Sequence, residues 1–68
     1  MTKIRELRKE RGMTLAQTAF LAAIDEGFLS KAERGWKIFP KETRSRLLRV
    51  LGVESEDLVF DGHGRAKE

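Results

Sequence analysis

The stretch Thr14 to Gly35, T-L-A-Q-T-A-F-L-A-A-I-D-E-G-F-L-S-K-A-E-R-G, constrains the fold of this chain more than any other. It reads as two short helices around a tight corner. The Thr14 hydroxyl can cap the first of them. Gln17, three residues on, can reach back to the Thr14 amide, which completes a capping box. Helix formers continue to about Ala22. Asp25 then supplies a second cap and Gly35 a left-handed stop, so the second helix runs from about Glu26 to Arg34. So short a joint leaves no room for an antiparallel return, and the two helices must cross steeply.

The rest of the chain adds helices to this pair. Thr2 can cap a first helix that ends near Arg11 with Gly12 as its stop, and Ile4 and Leu7 form its inward pair. At 100° per residue, Leu15, Thr18, Ala19 and Ala22 share the inward face of the next helix. Phe20 then points almost opposite, with Leu21 at the edge. Either that helix packs unusually deep, or Phe20 belongs to an exposed patch for another subunit or protein. Ile24, Leu29 and Ala32 continue the core. Pro40 leads into a helix from about Glu42 to Leu51 with Leu47, Leu48, Val50 and Leu51 inward and Arg44, Arg46 and Arg49 on the remaining face. Ser55 can cap a last short helix that carries Leu58 inward. Residues 61–68, D-G-H-G-R-A-K-E, hold no apolar anchor except Ala66, and disorder is expected there.

In this register the sequence resembles the Cro/phage-repressor-like, or XRE-type, helix-turn-helix domain. Gly12-Met13-Thr14 matches the approach to that family's second helix. Ala19 matches the small residue where the paired helices touch, Ile24 the apolar corner, and Asp25 stands where Ser is the usual cap. Leu29, Ser30, Glu33 and Gly35 match the end of its recognition helix. With Leu51-Gly52-Val53 and Asp57-Leu58, the resemblance spans roughly residues 3 to 60. Three positions depart from it. Leu15 replaces a phosphate-touching Gln, Thr18 a buried Leu, and Ala23 a corner Gly whose positive φ suits Ala poorly. The resemblance implies an all-α, five-helix lambda-repressor-like DNA-binding domain over residues 1–60. It also implies that Arg8 pairs with Glu33, tying the first helix to the end of the third.

The same resemblance assigns base contacts to Glu26, Gly27 and Lys31, with Phe28 and Ser30 beside them and Arg34 facing the groove or solvent. Lys31 can donate to guanine and Glu26 can accept from cytosine. Gln17, Trp36, Lys37 and Lys41 would hold phosphates. Asp25 and Glu26 oppose this, because a helix dipole that welcomes two carboxylates in the free protein sets them against a duplex. In the loop Trp36–Lys41, Ile38 and Phe39 either fold into the core or join a two-fold interface, for which Val59 and Phe60 are the other candidates.

The charge layout admits two readings, phosphate-holding flanks or ordinary solvated charge on helix surfaces. Residues 1–11 carry five basic and two acidic side chains, residues 12–35 two and three, residues 36–52 five and one, and residues 53–68 two and five. Two basic blocks therefore flank a nearly neutral helix pair, and the C-terminal end is acidic. The 68 residues suffice for one small helical core, and with no Cys neither disulfides nor thiolate zinc sites can help to hold it. His63, the single histidine, sits between glycines and is expected to be solvated, so no metal or cofactor is expected. Nothing resembles a membrane span or a signal peptide, and a cytoplasmic location is expected. No nucleophile–His pair or phosphate loop suggests an enzyme. The chain therefore reads as a sequence-specific DNA-binding regulator acting as a homodimer on a pseudo-palindrome. The alternative is a protein-interaction module on the same fold, an antitoxin or anti-regulator using Phe20 and Trp36–Phe39.

Overall fold

All four α-helices of this chain close in the same way. A computed structural model describes residues 1–68, with α1 Lys3–Glu10, α2 Leu15–Ala22, α3 Glu26–Glu33 and α4 Lys41–Leu51, followed by one turn of 3₁₀ helix at Glu56–Leu58. The residue that stops each α-helix is left-handed: Gly12 at φ 66°, Ala23 at 57°, Gly35 at 86° and Gly52 at 70°. Beyond each, the next amide donates to the carbonyl five residues back, as Trp36 does to Lys31 at 3.1 Å and Ile24 to Ala19 at 2.9 Å. This is the Schellman closure, and it satisfies carbonyls that would otherwise lack partners.

The beginnings are set by side chains. Thr14 Oγ1 accepts from the Gln17 amide at 3.0 Å while Gln17 Oε1 accepts from the Thr14 amide at 2.9 Å. Asp25 Oδ2 accepts from the Phe28 amide at 2.9 Å. Pro40 precedes α4 in extended conformation and offers no side-chain cap, and the helix begins at Lys41, one residue earlier than expected.

Burial follows the helical stripes. Ile4, Ala19, Ala22, Leu29, Ala32, Leu47 and Leu51 are buried, and α2 packs against both α3 and α4. Thr18 is buried as well, its hydroxyl satisfied by donating to the Thr14 carbonyl at 2.9 Å. One aromatic row closes the core on the side of the long loop. Phe28, Phe39 and Phe60 meet edge-on, with centroids 5.7 and 5.2 Å apart; such geometry sets the positive ring edge against a negative face.

Several expectations are corrected, and of the two alternatives for Phe39 the core is the one found. The fifth helix is a three-residue 3₁₀ turn, and Leu58 on it points outward instead of inward. Phe39, Val59 and Phe60 are fully enclosed, so three of the four candidate pairing residues are core; Ile38 alone stays half-exposed. Arg44, expected on the outer face of its helix, is engaged within the domain: its Nη1 donates to the Phe39 carbonyl, its Nε lies 3.1 Å from Glu56 Oε1, and its guanidinium lies over the Phe60 ring.

Residues 61–68, finally, are ordered. The chain turns after Phe60, whose bridge to Ala66 is antiparallel, and Ala66 is buried. The returning segment takes up main-chain donors from distant elements: Phe39 N–H donates to the Gly64 carbonyl at 2.9 Å and Lys3 N–H to the Lys67 carbonyl at 2.8 Å. A short polar tail is thus held by backbone bonds, which need no apolar side chains.

Candidate nucleic-acid interface

The surface of interest is the outer side of α3 and the loop behind it. The i, i+3, i+4 rule turns Leu29 and Ala32 inward, and with them Glu33. Glu26, Gly27, Lys31 and Arg34 are left exposed, with Ser30 partly so. Phe28 is only half available, because its ring edge rests on Phe39.

The end of α3 is locked to α1. Arg8 Nε donates to Glu33 Oε2 at 2.7 Å and Arg8 Nη2 to Oε1 at 2.9 Å, both groups buried. Glu33's hydrogen bonds raise the Arg8 pKa above its ordinary value, outweighing the opposite push of burial. Two further contacts were not legible in sequence: Thr2, which caps α1, also donates its hydroxyl to the Glu33 carbonyl, and Arg5 Nε lies 3.9 Å from Glu33 Oε1. Neither residue carries a signal, since a cap and a surface arginine explain both positions locally.

At the other end, Gly27 has a structural reason. A Cβ there would sit 3.1 Å from Asp25 Oδ2, crowding the carboxylate that caps the helix. The capping box has a similar consequence for Gln17. Its Oε1 is spent on the Thr14 amide, so the exposed Nε2 is left as an oriented donor.

Behind α3, Trp36 is exposed and stacks with Arg34, whose guanidinium carbon lies 5.1 Å from the ring centre. Such a contact holds the arginine extended along an aromatic face. Lys37 and Lys41 are exposed, and neither they nor Lys31 or Arg34 join an ion pair. Four cations without carboxylate partners are ready donors for phosphate or base edges. Arg46 fixes the corner before α3, donating from Nε to the Ala22 carbonyl at 2.8 Å.

No group of three His, Cys, Asp or Glu is placed to hold a metal ion, and no helix is long and apolar enough to cross a membrane. Comparison with curated proteins and with solved structures found no match. A family model described as a helix-turn-helix domain matches residues 2–59, which includes α1 to α4, the corner between α2 and α3, and the Arg8–Glu33 pair. Since that match covers most of the chain, the protein belongs to the helix-turn-helix domain family.

Proposed function

We propose that the protein is a sequence-specific DNA-binding transcription regulator of the cytoplasm that seats α3 in the major groove. The observation that supports it best is the division of α3. Its inner side is locked by Leu29, Ala32 and the buried Glu33, and its outer side presents Glu26, Gly27, Lys31 and Arg34 with both helix ends capped. Lys31 reads a guanine and Glu26 a cytosine, with Ser30 and the free edge of Phe28 beside them. Gln17 Nε2, Trp36, Lys37 and Lys41 hold phosphates, and stacking keeps Arg34 extended for the same use.

Pairing on a pseudo-palindrome was the expected mode. With Phe39, Val59 and Phe60 in the core, the exposed apolar residues left for a two-fold interface include Ile38 and Trp36 in this loop and Phe20 on α2.

A second reading, a protein-interaction module acting as antitoxin or anti-regulator, draws on the exposed Phe20, Trp36 and Ile38. Salt separates the two. Binding to a pool of short random duplexes, followed by fluorescence anisotropy from about 50 to 200 mM salt, should weaken steeply as phosphate-bound cations are displaced. Indifference to duplex at the lowest salt would remove the DNA reading and leave the protein one.

A further inference from the structure

Away from α3, the surface carries two apolar patches of opposite charge. The first is a ridge on the outer side of α2, where Phe20 is 83% exposed and Leu21 60%. Leu21 lines two shallow grooves, one shared with Arg11, Met13 and Phe20, the other with Arg46, Arg49 and Val50. No carboxylate lines either one. Arg46 is engaged by the Ala22 carbonyl and Glu42, whereas Arg11 and Arg49 form no ion pair.

The second patch is a groove of about 570 Å³ between α1 and the segment Gly52–Val59. Leu7, Val53 and Leu58 give it an apolar floor, and Glu6, Glu10 and Glu54 rim it. Lys3 sits there too, but it is paired with Glu6 at 3.9 Å, so Glu10 and Glu54 remain without a cation. Leu58, the residue that the 3₁₀ turn swings outward, is 61% exposed in this acidic setting.

Each patch has what the other lacks. A cavity of roughly 150 Å³ is enough to take a benzene ring, so the groove admits a phenyl group and a neighbouring side chain. We infer that the ridge of one copy of this chain docks in the groove of a second copy. Phe20 packs on Leu7, Val53 and Leu58, with Arg11 and Arg49 facing Glu10 and Glu54. A nucleic-acid strand suits the ridge less well, because phosphates would satisfy the arginines while leaving Leu21 and Val50 wet. The two surfaces differ, so the contact is heterologous, and a third copy adds as the second did. On DNA, copies joined this way face one direction and favour tandem sites over palindromes. That consequence rests on the proposed function; the contact itself does not.

Sedimentation of the full chain without DNA, from about 10 μM to about 1 mM, tests the contact in the range where weak association shows. The mean mass should rise with concentration beyond that of a dimer and fall in high salt as the charged rims are screened. Phe20→Ser should stay monomeric, and so should the double variant Glu10→Arg with Glu54→Arg. An equimolar mixture of the two should form dimers and nothing larger, since one supplies an intact groove and the other an intact ridge. That rescue also shows that both variants are folded. A wild-type chain that stays monomeric at 1 mM, a mass that stops at dimer, variants that associate like wild type, or a mixture that stays monomeric would each overturn the inference. A failure of DNA binding with this association intact would count against the proposed function alone.

Discussion

The Arg8 guanidinium and the Glu33 carboxylate meet in the plane, through parallel hydrogen bonds of 2.7 and 2.9 Å, and Arg8 spends a third donor on the Met13 carbonyl at 2.8 Å. One side chain from α1 therefore holds the approach to α2 and the end of α3 together. The pair fixes where α3 stands relative to the rest of the domain, which any use of its outer face requires. A bidentate geometry suits that task better than a single contact, because it sets angle as well as distance.

Breaking this pair from one side should be costly. Glu33→Ala strands a buried guanidinium and should destabilise by about 3–5 kcal/mol, a large part of the roughly 5–15 kcal/mol that holds a domain. Arg8→Ala should cost less, because Arg5, already 3.9 Å from Glu33, can move in. Replacing both by Ala should cost less than the two single losses added together. Urea unfolding of the four proteins measures this directly, and strictly additive losses would mean the pair is not coupled.

Ala23 is the one non-glycine residue with positive φ, at the stop position that glycine fills in the other three α-helices. An L-residue in that conformation costs roughly 1–2 kcal/mol, and glycine's greater freedom in the unfolded chain returns about 0.5–1 kcal/mol of that. Ala23→Gly should therefore stabilise by about 0.5–1 kcal/mol, or several degrees in Tm for a domain this small. A thermal melt at or below the wild-type midpoint would show that Ala23 is unstrained.

Most of the helical frame was legible because its signals are local. Thr14 with Gln17, Asp25, and the glycines at 12, 35 and 52 mark ends within a few residues of where they act. The Arg8–Glu33 pair spans 25 positions and entered only through resemblance. Leu58 departs from the inward position that a 100° repeat predicts because a 3₁₀ turn rotates residues by about 120°. Ile38 and Phe39 are neighbours in a loop without period, and nothing local says which one turns in. The last eight residues were missed because their anchors are main-chain bonds from Phe39 and Lys3, which leave no mark in side-chain composition. Asp61-Gly62 was the one available signal, a turn pair followed closely by a second glycine.

Lys31 and Lys37 should separate reading from holding. If Lys31 donates to a base, Lys31→Ala should cost about 1–3 kcal/mol at the preferred site and relax preference at one base pair. Lys37→Ala should weaken all duplexes alike and lower the salt slope by about one. Binding of both variants to selected and scrambled duplexes over a salt series gives both quantities. A Lys31 variant that loses affinity equally for every sequence would move it from base to phosphate.

The Asp61 carboxylate organises the turn that brings the tail back. Its Oδ1 accepts from the Arg65 amide at 3.0 Å and the His63 amide at 2.8 Å, and these bonds, led by that of Arg65, hold its pKa below the ordinary aspartate value. A lowered carboxyl pKa places the gain in stability above the unfolded value, about 3.9, and removes it as pH falls through the folded one. Amide signals of His63 and Arg65 followed by NMR should therefore titrate below pH 3.9, and Asp61→Ala should loosen the tail at neutral pH. That loosening should speed exchange of the Phe39 amide, whose acceptor is the Gly64 carbonyl, and of Lys3, whose acceptor is Lys67. The difference between variant and wild type should close once Asp61 is protonated. A midpoint at or above 3.9, or unchanged exchange at Phe39 and Lys3 in the variant, would show that the turn holds without its carboxylate.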